Sequence, residues 1–314
     1  DEYDDAGAGE EDGRPPDEYD DAGSGEEEDG RSFQLTSAEI ELWEEIGDGV
    51  TSVVFRGRCR GMIVAVKEMG TEPLSKSQKA RLNLERELEI LSKVKHPNLV
   101  TFVGVANDTG KVRIVTEFCA GGAAFDLLHN SDLILSWDQK FKMASDTAEA
   151  MQYLHAFNPP IVHRDLKSLN LLLQEDIVTV DHPVIIKVAD FGLSRMISEH
   201  AEALTKDAGT YHWMAPEVFG SNSYDRKADV YSFSMILYEI ICQTVPFGDV
   251  PARKLGLVVV KGQRPNTEMV PSDCPPVLSQ MMLDCWAAEP TERPDFHYLC
   301  YHLRRYLPVE VGGH

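Results

Sequence analysis

Alternating apolar and polar positions predict β-structure in the first part of the folded chain. Apolar and β-branched residues flank two glycines that stand two positions apart, Gly47 and Gly49, so residues 45–57 are predicted to form a β-hairpin. Further strands are predicted at residues 62–69, 99–105 and 112–118. In the first of these, alternation turns Val64 and Val66 to one face of the sheet and turns Lys67 to the other.

Apolar positions at helical spacing predict one helix among these strands and several more after them. The first covers residues 77–94. The β pattern breaks at the Gly-containing stretch 117–122, and beyond it the apolar spacing is that of helices. Helices are predicted at residues 124–130, 137–157, 227–242, 277–287 and 296–307. The pattern therefore indicates an α+β chain with a small β-rich part and a larger, mostly helical part.

Charge separates an acidic leader from the rest of the chain. Residues 1–31 contain fifteen Asp or Glu and two Arg, and the whole chain of 314 residues has a net charge of −22. The leader is a near-repeat, DEYDDAGAGEEDGRPP followed by DEYDDAGSGEEEDGR, which is too polar to offset its ordering entropy. We predict a disordered acidic tail over residues 1–31. A solvating leader is favoured over an interaction tail built on Tyr3 and Tyr19.

The same composition argues against several classes of protein. Nucleic acid and anionic membrane surfaces both require a basic face, and no apolar run approaches the roughly 18 residues of a membrane span. The six cysteines include no Cys-x-x-Cys pair, so neither a zinc site nor a disulfide framework is expected. We expect an intracellular, cytoplasmic protein with reduced thiols, no nucleic-acid partner and no membrane insertion. Because the chain begins at Asp1, we also expect a longer parent protein.

Side chains that could take part in catalysis are most concentrated at residues 163–170, which read His-Arg-Asp-Leu-Lys-Ser-Leu-Asn. These eight residues combine a potential base, two cations and an amide. Apolar residues precede this stretch, at Ile161-Val162, and apolar residues also follow it. They predict a polar loop held between buried β segments. Asp190-Phe191-Gly192 begins twenty residues after the end of this loop.

Each of these features also has a reading that needs no chemistry. The His-Arg-Asp triplet alone fits a solvated turn, and Gly47 and Gly49 fit a tight hairpin without a ligand. Lys67 fits an edge-strand lysine that reaches water, because a buried lysine is costly unless its charge is paired. What favours a functional site is the order and spacing of all the motifs together.

Six motifs in this order, over about residues 38–307, resemble the signature set of the eukaryotic protein kinases. The matching segments are the Gly-rich loop at 47–52, Val64-Ala65-Val66-Lys67, Glu87 on the predicted helix, His163-Arg164-Asp165, Asp190-Phe191-Gly192 and Ala215-Pro216-Glu217. Residues 209–217 and the run Arg293-Pro294-Asp295-Phe296 are most similar to the tyrosine-kinase-like group of serine/threonine kinases.

The resemblance implies the bilobal protein-kinase fold, of class α+β. A small β-rich N-lobe with one αC helix would occupy about residues 38–118. A hinge at 117–122 would join it to a larger, mostly helical C-lobe at about 120–307, and the disordered acidic tail would precede the kinase domain.

The resemblance also implies roles for the catalytic loop. Phosphoryl transfer requires in-line positioning and neutralised phosphate charge more than covalent help. Asp165 would accept or orient the proton of the substrate hydroxyl, and Lys167 would contact the γ-phosphate of ATP. Asn170 and Asp190 would hold Mg²⁺, an ion that prefers oxygen ligands.

The remaining implied contacts surround the nucleotide. Lys67 would bind the α- and β-phosphates and would be positioned by Glu87. The other residues implied to contact ATP are Gly47, Gly49 and Ser52 over the phosphates, Ile46, Val54, Ala65 and Leu172 around the adenine, Glu117 and Cys119 at the hinge, and Thr116 behind the pocket. Ser52 replaces the third glycine of the family's loop and Thr51 replaces its aromatic tip, so weaker phosphate binding by this loop is expected.

Other residues are implied to be structural. Glu217 is expected to pair with Arg293, and Asp229 is expected to brace the backbone of the catalytic loop. A stack between the lobes is implied for Leu91, Phe102, Phe191 and His163. That position makes His163 a core histidine rather than a base.

The predicted function is that of a serine/threonine kinase that uses ATP and Mg²⁺ and acts on protein substrates. Regulation is predicted from Arg164, a cation that a phosphorylated activation segment would neutralise. Thr205 is the first candidate site, Ser198 is the second, and Thr210 is read as structural. The modifying enzyme would be an upstream kinase or the chain itself. The alternatives are a pseudokinase or nucleotide-binding scaffold and a dual-specificity kinase, and the sequence does not indicate an oligomeric state.

Overall fold

A computed structural model of the chain describes residues 33–48, 52–70, 88, 91–108, 110–191, 210–220 and 225–307. The predicted acidic tail, most of the predicted helix at 77–94 and the segment at 192–209 lie outside these residues. Gly49, Thr51 and Glu87, which carry functional predictions, also lie outside them.

The β-rich part is a six-stranded sheet in the order β1-β5-β6-β4-β3-β2. Its strands are β1 Gln34–Leu35, β2 Ile40–Asp48, β3 Ser52–Cys59, β4 Met62–Gly70, β5 Phe102–Ala106 and β6 Lys111–Glu117. Neighbouring strands are antiparallel except β1 and β5, which are parallel. The two predicted hairpin strands and the three further strands are present, and β1 is an addition.

The alternation in β4 has the predicted result. Val64 and Val66 are fully buried, whereas Ala65 and Lys67 are partly exposed. The buried valines pack into a small core of their own with Leu35, Ile40, Cys59, Ala106 and Val115. The opposite face of β4 is the one that carries Lys67.

The described part of the predicted αC helix joins the main hydrophobic core. Leu88 and residues 91–93 are helical. Leu88, Leu91 and Val94 are at most 6% exposed and belong to a core that continues into the helical part of the chain. The two parts of the molecule therefore share apolar packing at this helix.

Helices dominate the rest of the described chain. They are α1 Ala124–His129, α2 Trp137–His155, α3 Pro216–Gly220, α4 Lys227–Cys242, α5 Ala252–Val260, α6 Pro276–Cys285 and α7 Phe296–Leu303. At the start of α2, the Ser136 hydroxyl accepts a hydrogen bond from the Gln139 backbone and the Gln139 side chain accepts one from the Ser136 backbone. Helix α4 is buried along most of its length, as its continuous apolar sequence predicts.

A two-stranded antiparallel sheet, β7 Leu171–Leu173 and β8 Ile186–Val188, lies between α2 and α3. Strand β7 follows the 163–170 loop, and β8 ends two residues before Asp190. The pairing of the two strands therefore brings both polar segments together.

The bounds of several predicted elements shift by one to three residues, and two predicted elements differ more in the structure. Ile161 and Val162, predicted as β-structure, form no strand, because the Ile161 N–H instead bonds back to the carbonyl of Leu154 near the end of α2. The last predicted helix ends at Leu303, and the 3-10 turn Arg304–Tyr306 follows it. Pro308 disfavours helical backbone at the residue before it. No helix within the described ranges has the length and apolar character to cross a bilayer.

Candidate active site

One buried carboxylate holds the start of the 163–170 loop. Asp229, in the first turn of α4, is 1% exposed and accepts hydrogen bonds from the backbone N–H groups of His163 at 2.8 Å and Arg164 at 2.9 Å. Nε2 of His155 lies 2.9 Å from the same carboxylate. Arg164 has a φ of 70°, in the left-handed region, where a non-glycine residue costs roughly 1–3 kcal/mol. Asp229 therefore braces the loop backbone, as predicted.

His163 is part of the core rather than of the open cleft. It is fully buried, and its Nε2 lies 2.9 Å from the carbonyl oxygen of Ala189. Its Nδ1 accepts a hydrogen bond from the backbone N–H of Asp165 at 3.3 Å. The ring thus connects the loop to the segment that precedes Asp190, which fits the structural role predicted for it.

Asp165, Lys167 and Asn170 meet within the loop. Nζ of Lys167 lies 2.9 Å from Oδ2 of Asp165. Nδ2 of Asn170 donates to the backbone oxygen of Asp165 at 2.7 Å and to its Oδ2 at 3.1 Å. The Asp165 side chain is still 34% exposed, so a carboxylate held by two neighbours remains accessible to solvent.

Lys67 and Asp190 connect the sheet to the helical part. Nζ of Lys67 on β4 lies 2.8 Å from Oδ2 of Asp190. Asp190 has a φ of 58°, also in the left-handed region. Partial burial of its carboxylate acts to raise the pKa of Asp190, but the Lys67 ammonium holds that pKa below its ordinary value. Asp190 is therefore an ionised carboxylate at neutral pH, which is the form that binds a metal ion.

The surroundings of Lys67 decide between two readings of this residue. Strand β4 lies inside the sheet, between β3 and β6, so Lys67 is not an edge-strand lysine. The partner in the structure is Asp190, and the predicted partner Glu87 lies outside the described residues. The charge of Lys67 is thus paired, and its pairing with Glu87 stays a prediction.

Strand register aligns several residues that were predicted to contact ATP. Gly47 on β2 pairs with Val54 on β3, and Val54 pairs with Lys67 on β4. Ala65 on β4 pairs with Thr116 on β6. Val54, Ala65 and Thr116 are all partly exposed, so this face of the sheet is accessible to solvent.

The other described contacts lie at the margins of this face. Ile46 is 45% exposed, and Ser52 begins β3 opposite Met69. Leu172 on β7 is partly exposed and forms a bridge with Ala123. These positions are compatible with the predicted nucleotide contacts.

Packing does not explain why residue 47 is a glycine. A Cβ built on Gly47 would meet no atom closer than that of Val54 at 3.9 Å, an ordinary contact, and the backbone φ is not in the positive range. A glycine can also serve by letting the backbone approach a ligand closely. Gly49 and Thr51, which follow in the sequence, lie outside the described residues.

Glu117 and Cys119 lie where β6 leads into the helical part. The Glu117 side chain accepts hydrogen bonds from the N–H and the hydroxyl of Thr101, both at 2.7 Å, and from Nζ of Lys187 at 2.9 Å. Burial alone would raise the pKa of Glu117, but these donors hold it below its ordinary value. Burial raises the pKa of the Cys119 thiol to about 11, so this thiol is protonated. The Glu117 side chain is thus occupied by the protein, and contact between the hinge backbone and a ligand stays a prediction.

The helical part contains the predicted pair of Glu217 and Arg293. The two guanidinium nitrogens of Arg293 lie 2.6 and 2.9 Å from the two carboxylate oxygens of Glu217. Arg293 is 1% exposed and also donates to the carbonyls of Ala287 and Lys227, both at 2.9 Å. This bidentate pair ties α3 to the segment that precedes α7.

The buried charged residues that were not predicted include Lys187 and Glu239. Lys187 is 8% exposed and pairs with Glu117, and Glu239, within α4, is fully buried. Both interrupt apolar runs, at 185–188 and at 235–241. A charge in such a run must find a partner, and that rule was the available signal for both residues.

The donor set beside Asp190 is suited to Mg²⁺. Among the described residues, no group of three or more His, Cys, Asp or Glu side chains could hold a metal ion alone. Mg²⁺ commonly binds one or two carboxylates together with substrate phosphates and water. The Ala189 N–H donates to the Asn170 carbonyl at 2.8 Å, so the oxygen-bearing side chains of Asn170 and Asp190 belong to adjoining segments.

Known proteins are similar to this chain in sequence. The family described as protein tyrosine and serine/threonine kinase matches residues 40–303. The human serine/threonine-protein kinase TNNI3K is 38% identical over 279 residues, which cover 88% of this chain and 32% of that protein. "Probable serine/threonine-protein kinase SIS8" of Arabidopsis thaliana is 35% identical over 287 residues, which cover 91% of this chain and 27% of that protein.

A third relative is "Probable serine/threonine-protein kinase drkC" of Dictyostelium discoideum, 35% identical over 269 residues that cover 85% of this chain and 34% of that protein. The chain spans about a third or less of the length of these curated relatives. The matched residues 40–303 include the whole candidate site. The chain therefore belongs to the protein tyrosine and serine/threonine kinase family, has the α+β kinase fold that its sequence predicted, and has serine/threonine kinases as its relatives.

Proposed function

We propose that the chain transfers the γ-phosphate of ATP to serine and threonine hydroxyls of protein substrates, with Mg²⁺ as its cofactor. The observation that carries this proposal is the Lys67–Asp190 pair beside the Asp165–Lys167–Asn170 loop. The serine/threonine relatives support the same class of acceptor.

Asp165 is proposed to act on the acceptor. Lys167 and Asn170 hold its Oδ2 while its side chain stays partly exposed, so an acceptor hydroxyl can donate a hydrogen bond to it. In the transfer, the hydroxyl oxygen forms a bond to the γ-phosphorus and the bond from that phosphorus to ADP breaks. The hydroxyl proton passes to Asp165, and Lys167 neutralises charge on the transferring group.

Asp190 and Asn170 are proposed to hold the metal ion through their oxygen atoms. When bound, Mg²⁺ supplies positive charge that neutralises the phosphates of ATP. Lys67 is proposed to bind the α- and β-phosphates, and its contact of 2.8 Å keeps its ammonium beside the metal-binding carboxylate. Support of Lys67 by Glu87 belongs to the same proposal.

The nucleotide is proposed to lie against the open face of the sheet. Strand register and partial exposure support this position, and so does Gly47, which no packing requires. The proposed contacts are Gly47, Gly49 and Ser52 with the phosphates, Ile46, Val54, Ala65 and Leu172 with the adenine, the backbone of Glu117 and Cys119 with its edge, and Thr116 at the rear.

Regulation is proposed to act through Arg164. Its backbone is held by Asp229, its side chain is half-buried, and no carboxylate within the described ranges pairs with its guanidinium. A phosphate on Thr205, or on Ser198 as second candidate, would supply about −1.5 to −2 charges. The modifying enzyme would be an upstream kinase or the chain itself. If phosphosite mapping finds residues 194–210 unmodified in the active protein, regulation through this segment is refuted.

The transfer itself is tested by phosphate incorporation from ATP and Mg²⁺ into a generic protein acceptor. Asp165→Asn keeps the shape of the side chain and removes the proposed base, so incorporation should fall by roughly 10²- to 10⁴-fold. Glu268→Gln, at an exposed position of the C-lobe, is the matched control and should leave incorporation unchanged. Phosphoserine and phosphothreonine are the expected products.

Other results of the incorporation assay would contradict the role of Asp165 or favour one of the alternative functions. Equal incorporation by wild type and Asp165→Asn contradicts the proposed role of this residue. Phosphotyrosine in the product indicates a dual-specificity kinase. No incorporation by wild type, with ATP and Mg²⁺ still raising its melting temperature, indicates a nucleotide-binding scaffold or pseudokinase.

A further inference from the structure

A bulge in strand β2 places two side chains opposite one arginine of β3. The regular pairing of the two strands stops after Leu42 and resumes at Glu45. Between these points, Trp43 and Glu44 of β2 stand opposite the single residue Arg56 of β3. Bulges redirect side chains and are frequent beside active sites. This bulge therefore brings an indole ring and a carboxylate to the same guanidinium.

Arg56 contacts both residues of the bulge and one residue beyond the sheet. Its Nη1 donates a hydrogen bond to Oε1 of Glu44 at 3.0 Å. Its guanidinium carbon lies 5.5 Å from the ring centroid of Trp43 and 5.1 Å from that of Phe118, which directly follows β6 in the hinge. A cation within about 6 Å of an aromatic centroid is attracted to the ring. We refer to Trp43, Arg56 and Phe118 as the arginine clamp.

The arginine clamp crosses the face of the sheet on which the nucleotide is proposed to lie. Arg56 pairs with Ala65 of β4, and directly paired residues of antiparallel strands point to the same face. Val54, two positions before Arg56 on β3, shares that face. Because β4 lies between β3 and β6, Arg56 reaches across β4 to contact Phe118. The clamp thus joins β2, on one side of this face, to the hinge on the other.

Arg58, two residues further along β3, provides the comparison with an ordinary surface pair. Its Nε and Nη2 both donate to Oε2 of Glu41, at 3.1 and 2.8 Å, and its side chain is 56% exposed. Arg56 donates to Glu44 through one nitrogen, and its Nε is buried with no hydrogen-bond partner in the described part of the chain. A buried unpaired donor is unfavourable. Pairing with Glu44 therefore does not explain the position of Arg56, whereas contact with the two rings does.

We propose that Arg56 is a positioning residue for ATP. By holding Trp43 and Phe118 in place, it keeps β2 and the hinge in the arrangement that the nucleotide requires, so ATP binding does not have to order them. The inference rests on the proposed function, because it assigns the arginine clamp to the nucleotide side of that reaction. The catalytic loop at 163–170 is not part of the clamp, so the chemical step does not depend on it.

The test replaces the cation and measures ATP binding directly. Arg56→Met keeps a long side chain and removes the charge from both rings. The Kd for ATP, measured by calorimetry with Mg²⁺ and without acceptor, should rise roughly 3- to 30-fold, as expected for the loss of one or two cation–π contacts. The KM for ATP should rise in parallel. Both kcat and the KM for an acceptor peptide should stay within about twofold of wild type.

Two further variants separate the clamp from surface charge. Arg58→Met removes an arginine–glutamate pair from the same strand and leaves the clamp intact, so it should bind ATP as tightly as wild type. Arg56→Lys keeps a cation but lacks the planar guanidinium that lies against two rings. Its ATP affinity should fall between those of wild type and Arg56→Met. Should Arg56→Met fail to fold, Arg56→Lys compared with Arg58→Met still decides the outcome.

Hydrogen–deuterium exchange tests the clamp without ATP. In Arg56→Met, backbone protection should fall at both 41–46 and 118–122 and should be unchanged at 163–170. Unchanged protection at either of the first two segments overturns the proposal. Wild-type ATP affinity in Arg56→Met overturns it as well, and so does an equal loss of affinity in Arg58→Met.

The wild-type protein separates failure of this inference from failure of the proposed function. If wild type binds ATP but transfers no phosphate, only the proposed transfer is refuted, because calorimetry and exchange still test the clamp. If wild type does not bind ATP, both proposals are refuted. If wild type binds ATP and transfers phosphate while Arg56→Met matches it, only the role of Arg56 is refuted.

Discussion

Two groups of charged side chains in this molecule share the same chemistry but differ in the exposure of their carboxylates. The cleft group is Lys67, Asp165, Lys167 and Asp190, and the anchor group is Glu217, Asp229, Glu239 and Arg293. In the cleft group, the Asp190 side chain is 41% exposed and the Asp165 side chain is 34% exposed. In the anchor group, the side chains of Glu217, Asp229 and Glu239 are 21%, 2% and 0% exposed.

The difference separates groups suited to chemistry from groups that maintain the fold. A reacting group must reach its ligand, so it keeps exposed surface. A buried ionic group must have its hydrogen-bonding capacity satisfied by the protein, and Asp229 and Glu239 each bind three donors. Loss of an anchor is therefore expected to reduce stability first, and loss of a cleft charge to reduce activity first.

The largest effect on stability is expected for Arg293→Met. The substitution removes both bonds to Glu217, at 2.6 and 2.9 Å, and leaves the carbonyls of Ala287 and Lys227 without this donor. Breaking a buried ion pair from one side costs roughly 3–5 kcal/mol. Urea denaturation measures the change in the free energy of unfolding.

Arg304→Met is the matched control for this prediction. Arg304 pairs with Glu149 at 3.2 Å, but its side chain is 61% exposed. An exposed pair contributes about 1 kcal/mol or less. If the two variants lose equal free energy of unfolding, burial does not distinguish anchors from surface pairs, and the division is wrong.

A smaller effect, on activity, is expected for Lys67→Met. Removing a preorganised charge beside the phosphates should lower kcat/KM for ATP by roughly 10²-fold. The pKa of Asp190 should rise, because the partial burial of its carboxylate then acts without the Lys67 ammonium to oppose it. The acid limb of the pH–activity profile should therefore move to higher pH.

The control for Lys67→Met is Lys111→Met, at a lysine that pairs with Glu68 and whose side chain is 54% exposed. Its pH–activity profile should match that of wild type. A large loss of unfolding free energy in Lys67→Met, with an unshifted pH profile, would instead assign Lys67 to the anchor group.

The smallest effect is expected for Glu117→Gln, at a residue with properties of both groups. The Glu117 side chain is 29% exposed, yet it accepts three hydrogen bonds. Its pKa in the folded state lies below the ordinary 4.5, so the folded state binds fewer protons than the unfolded state between the two values. The stabilisation is fully present above about pH 4.5 and is lost as the pH falls through the lowered pKa.

Urea midpoints measured from about pH 3 to pH 7 test this prediction. Glu117→Gln should flatten the acid side of the stability profile and should cost about 1 kcal/mol at neutral pH. If the urea midpoint of the variant falls below pH 4.5 with the same slope as in wild type, ionisation of Glu117 is not the cause of that slope. The hydrogen bonds from Thr101 and Lys187 then do not stabilise the ionised form.

Sequence reasoning found the anchors that belong to motifs and missed those that do not. Asp229 and the Glu217–Arg293 pair were expected because the family resemblance includes them. Lys187 and Glu239 are single charges in apolar runs. Their partners lie far away in the chain, at 70 residues for Lys187 with Glu117 and at 110 residues for His129 with Glu239. The pattern shows that such a charge needs a partner, but it cannot show which segment supplies it.

The secondary structure was predictable where local environment imposes a period. Strand β4 alternates because one face is in a core and the other faces the cleft side. Strand β1 has two residues, too few to show a period, and it pairs with β5 across about seventy positions of sequence. The apolar pattern after α7 continues into the 3-10 turn Arg304–Tyr306, so periodicity alone extended that helix too far.

The most direct test of the separation between the cleft group and the anchor group uses two variants, Asp165→Asn and Arg293→Met. Phosphate transfer and the free energy of unfolding are measured on both. Asp165→Asn is expected to lose transfer by roughly 10²- to 10⁴-fold while its free energy of unfolding stays within about 0.5 kcal/mol of wild type. Arg293→Met should lose roughly 3–5 kcal/mol of unfolding free energy. An Asp165→Asn protein that transfers phosphate at the wild-type rate, or that loses as much stability as Arg293→Met, would contradict the account.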